Sequence, residues 1–161
     1  MIVNNAPFYI EVSEDNNYSL NSTDNINSYD VILNPENRRR DDFYKKISIK
    51  TEDKSALLIC GYCSYSDNVL FVDNLLVIMC ENIIYKIDVE KMEIVFRKVI
   101  CASLQQLDEA SEVIISTEKS PVCISTFEIH KIQNGYIVYG EMEILKLDDD
   151  FNVLNMFMGK D

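Results

Sequence analysis

The chain has one histidine, no tryptophan, three prolines and four glycines in 161 residues. With a lone imidazole there is no His-rich metal site, and with so few glycines there is no glycine-rich phosphate loop. Bases are scarce as well: 15 Lys and Arg stand against 27 Asp and Glu, a net charge of −12. Such a field repels phosphate backbones and argues against general nucleic-acid binding. Long apolar runs are missing. No window reaches the ~18 residues that a membrane span needs, and runs such as Leu75 to Cys80 are strand-sized. Met1 to Pro7 carries neither a basic region nor an apolar stretch of the secretory kind. The expected location is cytoplasmic. Cys60, Cys63, Cys80, Cys101 and Cys123 are odd in number and lie largely in apolar runs, so reduced, buried thiols are expected.

What is present is a soluble-domain composition, 47% hydrophobic and 26% charged, sufficient for a core in one domain, 1–161. Residues 1–53 are irregular, with strands expected at Phe8 to Val12, Tyr29 to Leu33 and Phe43 to Lys50, and a turn-rich Asn, Asp and Ser stretch between. From Ser55 onward short apolar runs alternate with turn residues. Strands are expected at Leu57 to Cys63, Val69 to Val72, Leu75 to Cys80, Ile83 to Val89 and Met92 to Ile100. The pattern resumes at Val113 to Ser116, Val122 to Ile132, Tyr136 to Tyr139, Met142 to Leu147 and Asn152 to Phe157. Asn134-Gly135 has the chemistry of a type I′ hairpin turn. Ser103 and Gln106 have capping-box spacing ahead of helix formers, which predicts a short helix over 103–110. The expected fold is mainly β, built of antiparallel meanders, with a first β unit at 54–100 and a second at 101–161 joined by that helix.

The two units resemble each other. Tyr85-Lys86-Ile87-Asp88 matches Leu145-Lys146-Leu147-Asp148, and Thr51 to Ser55 matches Thr117 to Pro121, at spacings of 60 to 66 residues. True duplication and convergence of two β-meanders both produce such matches. Ile83 to Asp88 also resembles the phrase before the outer hairpin of a β-propeller blade. The chain is short for a closed ring of blades, so an open meander or a sandwich of packed sheets is expected.

Each candidate chemistry has an ordinary counterpart. Cys60-Gly61-Tyr62-Cys63 has redox or half-zinc spacing, but strand-like surroundings and the lack of a second pair favour buried thiols. His130 has no evident triad partners. Glu36 upstream of Glu52-Asp53-Lys54 resembles the acid, acid-x-Lys pattern of restriction-type nucleases. That resemblance implies Mg²⁺ at Glu36 and Glu52 with Lys54 beside the nucleophile; the missing helices and the net charge oppose it. Arg38-Arg39-Arg40 is largely neutralised by Asp41-Asp42. Charge is uneven along the chain, residues 101–161 holding 11 acids against 4 bases. Asp148, Asp149 and Asp150 sit at a predicted turn with Glu141 and Glu143 one strand away, and these five are the densest acids beside predicted turns. They read as a solubility device, as a surface for a basic partner, or as a Ca²⁺ loop that lacks its glycine.

In size, acidity and lack of catalytic motifs the whole chain resembles the immunity proteins of bacterial toxin systems, such as contact-dependent growth inhibition. That resemblance implies a non-enzymatic cytoplasmic inhibitor with no cofactor. It would occlude a basic nuclease toxin with Glu141, Glu143, Asp148, Asp149 and Asp150. A β-rich interaction module with an unrelated partner is the alternative, and a metal nuclease the third reading.

Overall fold

The computed structural model describes residues 2–3, 6–7, 9–15, 28–38, 45–60, 69–80, 82–103, 119–121, 126–140 and 143–158. Among them every regular element is a strand, and no helix occurs. The N-terminal sheet joins β1 (Glu11–Asp15), β2 (Val31–Leu33), β3 (Lys45–Lys50) and β4 (Ser55–Cys60) in the order β1-β3-β4-β2, with only the β2–β4 pair parallel. The central sheet is a meander of β5 (Val69–Val72), β6 (Leu75–Cys80), β7 (Ile83–Asp88) and β8 (Glu93–Val99). β9 (Cys101–Ser103) and β10 (Lys119–Pro121) form a separate two-stranded ribbon. The C-terminal sheet is a second meander, of β11 (Thr126–Ile132), β12 (Gly135–Gly140), β13 (Glu143–Leu147) and β14 (Val153–Met158).

The sequence reading is corrected at three places. β4, grouped by sequence with the strands after it, instead pairs with β3 and β2, because its apolar side chains complete the N-terminal sheet's inner face. Ser103 lies in a ladder opposite Lys119, so it ends a strand; the other residues of the expected helix, 104–110, lie outside the described residues, as does the expected strand at Val113 to Ser116. At the Asn134 hairpin the two loop residues are Gln133 and Asn134, since Ile132 pairs with Gly135. Gly135 has a φ of 136°, and a Cβ there would lie 1.9 Å from the Leu147 carbonyl oxygen. The backbone of the type I′ turn occurs instead at Asp73 and Asn74, with φ of 52° and 62°.

Alternation explains how the sheets stack. In β6, Leu76, Ile78 and Cys80 point to one side and Val77 and Met79 to the other, and all five are buried. The first set packs with Val12, Ile47, Ile49, Ala56 and Leu58 of the N-terminal sheet. The second set, with Ile84, packs on Ile129, Tyr136, Val138, Leu145 and Leu147 of the C-terminal sheet. The central sheet is therefore the middle layer of three, which is why its strands read as continuous apolar runs rather than as strict alternation.

The central and C-terminal sheets match position by position. Ile78 pairs with Tyr85 as Val138 pairs with Leu145, and Leu76 with Ile87 as Tyr136 with Leu147, a constant offset of 60 residues. The ladder shifts register between Lys86 and Ile87 in one sheet and between Lys146 and Leu147 in the other. The loop after Asp148 is one residue shorter than that after Asp88, so the last strands align at an offset of 59.

Candidate functional site

In each meander, the first and third hairpin turns fall at the same end of the sheet. Contacts between layers bring these ends together. Lys54, in the Thr51–Lys54 turn between β3 and β4, donates its Nζ to the Glu90 carbonyl in the turn between β7 and β8. Within the C-terminal sheet, Lys131, beside the β11–β12 turn, pairs with Asp149 in the turn between β13 and β14. Asp73, in the β5–β6 turn, lies close enough to Lys131 and Tyr136 to act on both electrostatically. One end of the three-layer stack thus gathers Glu52, Asp53, Asp73, Asp88, Glu90, Asp148, Asp149 and Asp150, with Lys54, Lys91 and Lys131 among them. A cleft of about 270 Å³ opens there, lined by Tyr9, Thr51, Glu52, Asp53, Lys54, Val89 and Glu90.

These acids fall into two kinds. Asp148 builds its own turn: Oδ1 accepts from the backbone N–H of Asp150 (3.0 Å) and Asn152 (2.7 Å), and Oδ2 from the Asn152 amide (2.8 Å). The Asn152 side chain, its largest influence, keeps the Asp148 carboxyl below the ordinary aspartate range. Asp88 does the same for its turn, accepting from the N–H of Glu90 and Lys91, both at 3.1 Å. Lys91 Nζ stands 2.9 Å from its Oδ2, and that contact leads the lowering of its pKa. By contrast, Glu52, Asp53, Asp73, Glu90, Asp149 and Asp150 are exposed.

Behind the turns sits a polar clamp. Asn34 closes a tight loop by accepting from the Arg38 N–H (2.9 Å) and donating to the Arg38 carbonyl (3.0 Å). This presents Glu36 to Arg97, whose Nε and Nη2 donate to its two oxygens at 2.5 and 2.7 Å. Tyr85, buried in the central sheet, donates its hydroxyl to the same carboxylate at 3.2 Å. Arg97 above all holds the Glu36 carboxyl low, while burial above all pushes the Tyr85 phenol up.

The sequence candidates are dispersed accordingly. Asp148, Asp149 and Asp150 share one turn. Glu143 opens β13, five residues before Asp148, which places it ~16 Å away toward the far end of the strand. This is the one-strand separation from the turn that the sequence reading expected, since a strand carries its two ends to opposite edges of the layer; Glu141 lies outside the described residues. The nuclease arrangement does not assemble: Glu36 is taken by Arg97 and Tyr85, and Lys54 by a carbonyl. Among the described residues no three His, Cys, Asp or Glu stand close enough to hold a metal ion. His130 is exposed and shares a 2.8 Å contact with Glu128. Cys60 and Cys80 are buried and Cys101 is half-buried, and Cys63 and Cys123 lie outside the described residues. Sequence reading missed Asp53, Asp73 and Glu90 as members of the acidic end and singled out Glu52 for metal chemistry. Their turn positions were visible, but a shared end of three layers was not.

No family model matches the chain, and no curated protein or solved structure matches it. No helix among the described residues is long and apolar enough to cross a membrane.

Proposed function

We propose that this protein is a binding module that neutralises a basic protein, in the manner of a cytoplasmic immunity protein that occludes a nuclease toxin. The observation that supports the reading is the convergence of exposed carboxylates from turns of all three sheets at one end. Six of them, Glu52, Asp53, Asp73, Glu90, Asp149 and Asp150, are not consumed in shaping their own turns. Carboxylates held on short hairpin turns keep their spacing, and a preset array of negative charge steers a basic surface into register. Such a module needs no cofactor and performs no chemistry; it acts by covering a phosphate-binding groove.

The constant offset between the two meanders supports descent from one repeated unit of about 60 residues, propeller-blade-like in its four-strand meander. Duplication of a module with acidic turns multiplies the charged end without new chemistry.

The test pairs this chain with the product of a directly adjacent gene for a basic protein. Rescue of cells expressing that protein, and calorimetric binding at about 50 and 300 mM salt, are compared for the wild type and a six-residue variant. The variant replaces Glu52, Asp53, Asp73, Glu90, Asp149 and Asp150 by Gln or Asn and leaves Asp88 and Asp148 in place. At least ~10-fold weaker binding, ~1.4 kcal/mol, with a flattened salt dependence supports the reading. Unchanged binding at both salts removes the acidic end from the interface. A partner of neutral charge favours the second reading, an interaction module of unrelated purpose.

A further inference from the structure

The three four-stranded sheets have six faces, and the chain covers five of them. The N-terminal sheet packs its inner face on the central sheet; on its other face Lys46, Ser48, Leu57 and Ile59 of the two middle strands are at most 3% exposed, while Ile32 of the edge strand β2 is 38% exposed. Both faces of the central sheet are buried, as is one face of the C-terminal sheet. On the remaining face, Tyr139, Ile144 and Phe157 lie side by side across β12, β13 and β14, and they are 39, 40 and 52% exposed.

The 60-residue correspondence identifies what kind of face this is. Ile137, Tyr139 and Ile144 occupy the positions of Val77, Met79 and Ile84, which are the central-sheet residues buried against the C-terminal sheet. Each sheet in the stack thus offers a layer-forming face to the next, and among the described residues no layer covers the last one. Continuing the stack head to tail would require the outer face of another copy's N-terminal sheet, whose two middle strands are already buried and which leaves only its edge strands exposed. The sheet face left open on a second copy is therefore this same one.

Charge selects the same occupant. The chain carries −12 overall, yet the described residues of this face include one carboxylate, Glu128, and one ammonium, Lys146, beside His130, Ile137 and Asn155. A balanced face does not recruit the basic partner that suits the acidic end, and it is where two strongly acidic copies repel each other least.

We propose that a second copy of this chain docks on the outer face of the C-terminal sheet, row Tyr139–Ile144–Phe157 against the same row, to form a two-fold dimer. The same patch on both partners closes the assembly at two copies and gives no filament. Four strands ~4.8 Å apart and about five residues long give a footprint on the order of 350 Å² per copy. That is under half the ~800 Å² per partner of a standard interface, so the dimer is weak and concentration-dependent. The inference does not rest on the acidic end and stands or falls separately from it.

Sedimentation equilibrium from about 1 to 500 μM tests it on the full chain. The expected mass rises from 18.6 kDa toward twice that value, and an Ile144→Lys, Phe157→Lys double variant stays at the single-chain mass with an unchanged circular dichroism spectrum. Tyr139→Asp, on the same row, supplies the comparison if the double variant loses its fold. Val95→Lys, exposed on the central sheet's edge strand, should dimerise as the wild type does. A single-chain mass across the range overturns the proposal, as does a dimer that survives both row variants or a mass that climbs beyond two copies.

Discussion

The Lys86 ammonium stands 4.9 Å from the ring centroid of Phe151 and 5.2 Å from that of Phe96. Lys86 rises from the central sheet and Phe151 comes from the last turn of the C-terminal sheet, where it stacks on Tyr136 at 4.4 Å. A charged side chain thereby occupies a layer interface with no carboxylate partner among the described residues, its stem packed on apolar surface and its head on two π faces. Lys86→Met keeps the stem and removes the charge. The expected loss is about 1 kcal/mol, read as a lower urea midpoint with an unchanged m-value. Lys146→Met, the equivalent position on the open face, should leave the midpoint within about 0.5 kcal/mol of wild type.

The Glu36–Arg97 pair makes stability depend on acid. The folded-state pKa of Glu36 is depressed. Its contribution is therefore full above the unfolded glutamate value, ~4.3, and is lost as pH falls through the lower folded value. Glu36→Gln should cost about 1 kcal/mol at pH 7, since Arg97 is partly exposed and screened. The gap to wild type should begin to narrow as pH falls below the unfolded glutamate value, ~4.3, and go on narrowing through the lower folded value. Urea unfolding across that range checks it; a gap constant with pH would exclude the ion pair as its source.

Asp148 and Asp150 are two positions apart and should behave oppositely. Asp148→Ala strips three hydrogen bonds from the last turn and should lower stability by ~1 kcal/mol or more. Asp150→Asn leaves that network standing and should change stability by less than about 0.5 kcal/mol. Thermal unfolding of the two variants separates turn-building from surface charge before any binding is measured.

Gly135→Ala should be among the most costly single substitutions in the chain. Its φ of 136° is unfavourable for any L side chain, and the added methyl would meet the Leu147 carbonyl at 1.9 Å. A loss above about 1 kcal/mol is expected. Loss of amide-exchange protection along β12 and β13 would locate the damage.

Strand content was legible locally. Runs such as Val69 to Val72 and Leu75 to Cys80 are apolar, strand-length and bounded by turn formers, and they became β5 and β6 at the expected bounds. The Lys86 and Lys146 phrases also fell at equivalent strands, because a repeated pleat and bulge demand the same residue types. The ribbon of β9 and β10 left no such trace: its strands are three residues each, too short for a period to show.

From residue order alone came what depends on neighbours along the chain: a mainly β architecture, the hairpin positions, the scarcity of catalytic residue types and the excess of acid. Tertiary structure decided what depends on which layers meet. It placed Lys54 at Glu90 and Asp73 near Lys131, gathering turns from three sheets into one acidic end. It also bound Glu36 to Arg97 rather than to a metal site. Pairing between residues 36 and 97, or 54 and 90, is set by how stacked sheets align, and no local periodicity encodes that alignment.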